Sequence, residues 1–196
     1  MSLPYKTLPV RLAPAGTLLM RPAHALPLKV TTESPATDSM TDLSRVAAAT
    51  VGPEASLEKA EDQMRHAHVR LLFVVGESPD LLGIITLNDL KGERPVRFQR
   101  EMGVGYRDIR VSDIMTSVDR LETIPLEEAL DARIGDIIQT LKRTGRQHAL
   151  VLERGVAGYA IRGIFSASYI SRQLGMPVET SGIAYTFAEL EAALVH

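Results

Sequence analysis

The chain contains an internal duplication, which restricts its fold more than any other feature. Met40-Thr41 opens one segment, and Met115-Thr116 opens the next. Each segment closes on a Gly-Ile-x-(Thr/Ser) stretch, first at Gly83–Thr86 and then at Gly163–Ser166. Two markers that recur in one order at nearly one spacing predict two structural copies that share a core.

A basic residue gives a third marker between the opening and the closing stretch. Arg70 and Arg146 recur at almost the same spacing as the other markers, and we align them as counterparts. The stretch from Arg146 to Gly163 is longer than the stretch from Arg70 to Gly83. We assign the extra residues to a hairpin turn at residues 154–158, where an insertion costs little.

Each copy has the apolar pattern of a helix followed by a β-hairpin. Ser56 is predicted to cap a helix with apolar residues at helical spacing. Leu71–Val75 and Leu81–Thr86 are predicted as strands buried on both faces, and a further helix follows directly. The second copy repeats the pattern, with a helix and two strands predicted at residues 134–141, 148–153 and 159–166.

Proline content and the repeat together divide the chain into five segments. Six of the eleven prolines precede residue 37, so the N-terminal segment cannot be one continuous helix. It is predicted to be an extended arm packed on the body or on a partner, or else a partly disordered tail. The segments are an arm at 1–36, the first repeat at 37–91, a linker at 92–110, the second repeat at 111–172 and a tail with a short helix at 173–196.

Composition excludes several classes of function. The 196 residues carry a net charge of −2 and no cysteine, which excludes disulfides, thiolate catalysis and zinc–thiolate sites. No apolar run is long enough to span a bilayer, and prolines and arginines interrupt any signal peptide, so we expect a cytoplasmic protein without a membrane contact. We find no catalytic motif and no metal-ligand spacing, and therefore predict neither an enzyme nor a metal site.

The duplicated pattern resembles the cystathionine β-synthase (CBS) domain, and two copies in tandem resemble a Bateman module. The resemblance covers about residues 37–172. It implies an α+β fold of two pseudo-symmetric β-α-β-β-α units packed through their sheets, and two such modules often form a disc-shaped homodimer. It also implies a regulatory ligand, an adenine nucleotide of the AMP, ADP or ATP class or S-adenosylmethionine, held in a cleft between units.

The same resemblance suggests which residues bind that ligand. In the family the aspartate after the closing strand holds the ribose hydroxyls, which makes Asp89 the predicted ribose ligand, supported by Thr86 and Asn88. A carboxylate can accept from two vicinal hydroxyls, and a helix start offers free N–H groups to a phosphate. The alternative is that Thr86 and Asp89 only cap the following helix.

Four further residues complete the predicted site. Arg70 lies where the family often has a phosphate ligand, and a guanidinium suits phosphate oxygens. Val51 and Gly52 lie where the family lines the base, so we expect backbone groups there to read the adenine edge and Val51 to pack on its face. Arg146 is assigned to phosphates of a ligand held mainly by the first repeat.

The two copies differ at one chemically important position. Tyr169 stands where the first copy has Asp89, and a phenol cannot accept two hydroxyls as a carboxylate does. We interpret Tyr169 as filling its cleft, with stacking on a base as the alternative. His148 aligns with an apolar position and is interpreted as a satisfied, partly buried histidine. One nucleotide site per chain is therefore expected.

Three functional hypotheses follow. The first is a non-catalytic sensor whose nucleotide changes the response of an unknown protein partner. The second is a structural dimerisation module whose ligand site has decayed, as the loss at Tyr169 suggests. The third and weakest is nucleic-acid binding through the basic residues of the 91–100 segment.

Overall fold

The computed structural model describes residues 26–77, 80–156 and 158–180, which form two four-stranded sheets flanked by helices. The predicted α+β fold is confirmed. The strands are β1 (Thr41–Asp42), β2 (Thr50–Val51), β3 (Leu71–Val75), β4 (Leu81–Thr86), β5 (Thr116–Ser117), β6 (Thr123–Pro125), β7 (His148–Gly155) and β8 (Gly158–Ser166). The α-helices are α1 (Leu57–His66), α2 (Leu87–Lys91), α3 (Arg94–Met102), α4 (Val111–Ile114), α5 (Leu126–Asp131), α6 (Ile134–Thr144) and α7 (Ala167–Leu174).

The main helix of each copy forms for local reasons that the sequence predicts. Ser56 caps α1, since its hydroxyl oxygen accepts a hydrogen bond from the Lys59 amide at 3.2 Å. In α6 the apolar residues at 134, 137, 138 and 141 are all buried on one face. α6 then ends at Gly145, whose φ of +65° favours glycine.

Three apolar clusters hold these elements together. One lies between the β2-β3-β4 sheet and its helices, and a second lies between the β8-β7-β6 sheet and its helices. The third joins the two sheets face to face. Its buried members are Leu71, Phe73, Ile84 and Leu150. The fully buried side chains of all three clusters supply most of the apolar burial that stabilises the fold.

Each sheet is completed by a two-residue strand from the other copy. The sheet orders are β1-β8-β7-β6 and β2-β3-β4-β5. β1, which opens the first copy, pairs antiparallel with β8 of the second copy, placing Asp42 opposite Gly163. β5, which opens the second copy, pairs antiparallel with β4 of the first, placing Ser117 opposite Gly83. The two copies therefore exchange their opening strands.

The exchange explains why the Met-Thr and Gly-Ile markers occur together. A Cβ atom on Gly83 would meet the carbonyl oxygen of Thr116 at less than the 3.0 Å that real Cβ atoms keep. A Cβ atom on Gly163 would lie 2.7 Å from the Sδ atom of Met40. At Gly83 only a residue without a side chain lets the backbone of the crossing strand approach this closely, whereas at Gly163 the nearest atoms belong to the flexible side chain of Met40.

An ion-pair network holds β1 against β8. The Arg162 guanidinium donates to both oxygens of Asp42, at 2.9 and 3.3 Å, and to the carboxylate of Glu153. Hydrogen bonds from Arg162, followed in importance by those from Ser44, hold the pKa of the Asp42 carboxyl well below its usual range. The exchanged strand is therefore fixed by charge as well as by backbone pairing.

The longer second copy is accommodated differently from our prediction. β7 and β8 have eight and nine residues, against five and six for β3 and β4. Gly155 pairs with Gly158, so the strands continue through most of the region assigned to a turn. The extra residues lengthen the β7–β8 hairpin, whose register shifts between Val151 and Leu152, and each added pair gains hydrogen bonds.

The described part of the N-terminal arm, residues 26–36, packs on the second copy. The Val30 amide donates to the carbonyl of Gln173 at 3.2 Å, and the Gln173 side-chain amide donates to the carbonyl of Pro27 at 2.7 Å. Ala36 is fully buried beside α5 and α6. The C-terminal helix predicted near residue 186 lies outside the described residues.

We expect Gly83→Ala to lower the free energy of unfolding by about 1–3 kcal/mol, as overpacking typically does. The added methyl group would force β5 away from β4, because its nearest neighbour is a backbone oxygen. Urea unfolding measures the effect. Gly76→Ala is the matched control, since its Cβ would meet only Leu82 Cδ1 at 3.5 Å. Equal stability of the two variants would contradict the close approach of the strands.

Candidate functional site

The strand registers show which residues of the two copies are equivalent. Leu71 lies opposite Thr86 at one end of the first hairpin, and His148 lies opposite Ser166 at the same end of the second. His148 is therefore the counterpart of Leu71, as expected from its alignment with an apolar position. Two clefts open near this end of the hairpins, and His148 lines both of them.

The register corrects the predicted equivalence of two arginines. The Leu87 amide donates to the carbonyl of Arg70, and the Ala167 amide donates to the carbonyl of Gln147, each at 2.9 Å. The counterpart of Arg70 is therefore Gln147 and not Arg146. The loop between helix and strand positions the two arginines differently, and they line different clefts.

The end of the first hairpin is closed by its own side chains. Thr86 and Asp89 form a capping box at the start of α2: the Thr86 amide and hydroxyl donate to Asp89 Oδ2 at 2.8 and 2.7 Å. The other carboxylate oxygen lies 3.0 Å from Nη1 of Arg94. Both oxygens of Asp89 thus have donors within the chain, which is the arrangement that the capping alternative predicts.

The remaining first-copy site residues, Val51, Gly52 and Asn88, line neither of the two clefts. Val51 is 3% exposed and packs in the core of the first copy, so it does not present its side chain to a ligand. Gly52 is exposed, and nothing lies within 4 Å of its hypothetical Cβ. Asn88 is exposed on α2. The structure therefore corrects the expectation that the side chain of Val51 packs on the base, and contact through the backbone of Val51 and Gly52 stays a prediction.

The larger of the two clefts, here called cleft A, is lined by both copies and has a volume of about 710 Å³. The first copy contributes the loop before β2, the loop after α1 and the start of β3. The second contributes the end of β8 and the start of α7. The residues that line cleft A include Ala47, Ala48, Ala49, His68, Arg70, Phe73, His148, Ser166, Ser168, Tyr169 and Arg172.

Cleft A combines an apolar floor with positive charge. Three consecutive alanines and Phe73 lie along it, and Arg70 and Arg172 stand at its sides. No aspartate or glutamate occurs among the described residues that line it. Arg70 has no ion-pair partner within the described part of the chain, so its guanidinium is free to bind an anion.

The second strand end, unlike the first, is not closed by a cap. No side chain caps α7, whose first turn holds no acidic residue. The hydroxyl of Ser166 contacts that of Ser168, at 3.0 Å. Tyr169 lines the cleft with its ring 5.4 Å from the guanidinium carbon of Arg172, so the interpretation that it fills the space is wrong.

His148 lies between the two clefts with an unsatisfied nitrogen. Its Nδ1 is buried and has no hydrogen-bond partner among the described residues, which contradicts the expectation of a satisfied histidine. Burial, followed by the positive charge of Arg70, lowers the pKa of His148 to about 4, against a weaker opposite effect of Asp89. The imidazole is therefore neutral at pH 7.

The second cleft, here called cleft B, has a volume of about 650 Å³ and is lined mainly by the second copy. Arg146 lies in it, and its Nε atom is 3.1 Å from the Glu122 carboxylate. The position of Glu122 corresponds to that of Ala49 in cleft A, because Thr123 pairs with Leu150 as Thr50 pairs with Phe73. Cleft B therefore has a carboxylate where cleft A has a methyl group.

The basic 91–100 segment is partly engaged within the chain. Arg94 pairs with Asp89 and donates to the carbonyl of Ile114 at 2.8 Å, and Lys91 lies 2.6 Å from Glu61. These contacts reduce the positive charge available to a nucleic acid.

Two classes of feature are not found in the described part of the chain. It contains no group of three or more histidine, aspartate or glutamate residues that could hold a metal ion. None of its helices has both the length and the apolar character required to cross a membrane.

Comparison with known proteins identifies the first copy directly. Residues 40–94, from the strand that opens the first copy to the start of α3, match the family model of the CBS domain. The matched segment is a CBS domain. The second hairpin and its exchanged strand repeat the same topology, so the fold is that of a CBS-domain pair. A search of curated proteins found no significant match.

Solved structures of similar fold support this assignment. An uncharacterised conserved protein from Pyrococcus horikoshii is 25% identical, with 72% of this chain and 92% of that chain covered and a TM-score of 0.52. A CBS-domain-containing protein from Agrobacterium tumefaciens is 20% identical, with 72% and 94% covered and a TM-score of 0.53. CBSX2, solved in complex with AMP, is 19% identical, with 71% and 94% covered and a TM-score of 0.50.

The pKa of His148 predicts a pH-dependent effect of its replacement. Between pH 6.5 and 4 the unfolded chain binds a proton that the folded chain does not, so His148 lowers stability as the pH falls through this window. His148→Leu copies the residue at position 71 and removes this effect. We expect the free energy of unfolding of the variant, relative to that of the wild type, to be larger at pH 5 than at pH 7.5 by on the order of 1–2 kcal/mol. Urea unfolding at the two pH values measures this, and an identical difference at both would contradict it.

Proposed function

We propose that this CBS-domain pair is a non-catalytic regulatory module that binds an adenine nucleotide in cleft A and signals to a protein partner. The observation that carries the proposal is the composition of cleft A, which has an apolar floor and two arginines at its sides, with no carboxylate among its described lining residues. Its volume of about 710 Å³ lies within the usual range for small-molecule sites. The AMP complex of CBSX2 supports the proposal, since that protein shares the fold.

The chemistry of the walls suggests an orientation for the nucleotide. The flat, apolar base suits the surface formed by Ala47–Ala49 and Phe73, where it loses contact with water. The phosphate suits Arg70 and the uncapped start of α7, where two serine hydroxyls also face the cleft.

The charge of cleft A favours a nucleotide over S-adenosylmethionine, the other ligand implied by the family resemblance. AMP, ADP and ATP carry net negative charge, whereas S-adenosylmethionine carries a sulfonium, an ammonium and a carboxylate group and is positively charged overall. Placing these cations beside Arg70 and Arg172 costs electrostatic energy in a site partly shielded from water.

The origin of the two walls supports a signalling role. Arg70 and the alanine floor belong to the first copy, whereas Ser166, Tyr169 and Arg172 belong to the second. A ligand that contacts both walls binds one arrangement of the copies better than others, and this difference in affinity can shift a conformational equilibrium. We further propose a cytoplasmic homodimer as the state in which the module meets its partner.

We retain Asp89 with Thr86, Asn88 and Arg146 as a second candidate site, of which Arg146 lines cleft B. Its use would require the Asp89–Arg94 pair to open, because Arg94 holds one carboxylate oxygen and Thr86 the other. The closed geometry also favours the alternative function, a structural dimerisation module without ligand.

Calorimetric titration of the wild-type protein with AMP, ADP, ATP and S-adenosylmethionine tests the proposal. We expect binding of at least one of the three nucleotides, with S-adenosylmethionine weaker than each nucleotide that binds. Arg70→Gln should weaken nucleotide binding about tenfold or more, because it removes charge-assisted hydrogen bonds to phosphate.

Arg146→Gln is the matched control, since Arg146 lines cleft B, and we expect its affinity to stay within about twofold of the wild type. A larger loss for Arg146→Gln than for Arg70→Gln would move the site to cleft B. Folded protein that binds none of the four compounds would rule out the nucleotide function and favour the dimerisation module.

A further inference from the structure

We propose that cleft A recognises the base and the phosphate of its ligand but not the ribose hydroxyls, so that it binds deoxyadenosine and adenosine nucleotides about equally. This inference rests on the proposed function and specifies its ligand class. It follows from the residues of the second copy that line the cleft together with Arg70, since none of those that the structure describes is an aspartate or a glutamate.

The strongest single group for recognising the two vicinal hydroxyls of a ribose is an acceptor with two oxygens. An ionised carboxylate provides this, because it accepts several hydrogen bonds and donates none. The described residues lining cleft A include neither aspartate nor glutamate. Ser166 and Ser168 already contact each other through their hydroxyls, at 3.0 Å.

The structural equivalence of the two strand ends locates the missing group. Thr86 and Ser166 are equivalent, because they lie opposite Leu71 and His148 at the ends of their hairpins. Three residues further on, the first copy has Asp89 and the second has Tyr169. The position that could hold a carboxylate in cleft A therefore holds a phenol.

Tyr169 presents a ring to the cleft beside a cation. The guanidinium carbon of Arg172 lies 5.4 Å from the ring centroid, within the range of a cation–π contact. A phenol has one hydroxyl at the end of its ring and cannot accept from both ribose hydroxyls as two carboxylate oxygens do. The wall therefore offers a planar surface and positive charge, which suit a base and a phosphate and are indifferent to the sugar.

The test compares the dissociation constants of AMP, 2′-deoxy-AMP and 3′-deoxy-AMP by calorimetry on the intact wild-type chain. We expect all three to agree within about threefold. A preference for AMP greater than threefold over either deoxy compound would overturn the inference and leave the proposed function intact. Absence of binding by all three would overturn both, together with the AMP titration described above.

A gain-of-function variant tests the same inference from the opposite side. Tyr169→Asp should create a preference for AMP over its deoxy forms of about tenfold, since it installs a two-oxygen acceptor at the equivalent of position 89. Tyr169→Asn is the matched control of similar size without the charge, and its preference should stay below that of Tyr169→Asp. A wild-type preference equal to that of the Asp variant would contradict the role assigned to Tyr169.

Discussion

The close approach of two short exchanged strands to two glycines is the constraint on which the rest of the structure depends. β1 crosses to β8 over Gly163, and β5 crosses to β4 over Gly83, so neither sheet is complete without the other copy. The exchange brings the inner faces of the sheets together around Leu71, Phe73 and Leu150. Because the sheets meet there, the loop before each sheet faces the hairpin end of the other copy, and this juxtaposition forms cleft A.

The pseudo-symmetry of the fold does not extend to its chemistry. At one hairpin end, Thr86 and Asp89 satisfy each other and Arg94 completes the coordination of the carboxylate. At the other end, Ser166 leaves the start of α7 uncapped and Tyr169 faces an open cleft. The strand end of the copy that lacks the acidic residue is therefore the one more open to an anion. This favours the second copy's strand end over the first copy's, which the sequence had indicated as the ligand site.

The sequence predicted the regular elements well and the site only in part. Leu71–Val75 and Leu81–Thr86 are strands as predicted, because continuous apolar runs bounded by turn residues allow few alternatives. The exchange of β1 and β5 was not predictable, since two residues carry no periodicity and their partners are distant in sequence. Arg70 does line a cleft. The role of Asp89 could not be decided from the sequence, because a Thr-x-x-Asp motif has the same residues whether it caps a helix or holds a ribose.

Two features of the sequence, which our prediction of the site did not use, indicate cleft A. The run Ala47-Ala48-Ala49 provides three small side chains just before a strand, which leaves room above the sheet. Ser166 and Ser168 without an acidic residue in the first turn of α7 mark a helix start that its own chain does not neutralise. The sequence alignment of Arg70 with Arg146 is displaced by one residue from the equivalence of Arg70 and Gln147 that the hydrogen bonds define.

A crystal structure of the chain with bound AMP would show whether the cleft between the copies beside Arg70 is the ligand site. We expect density in cleft A, with the phosphate within hydrogen-bond distance of Arg70 and the base on the surface of Ala47–Ala49. Density beside Asp89, with the Asp89–Arg94 pair broken and the carboxylate on the ribose hydroxyls, would contradict it.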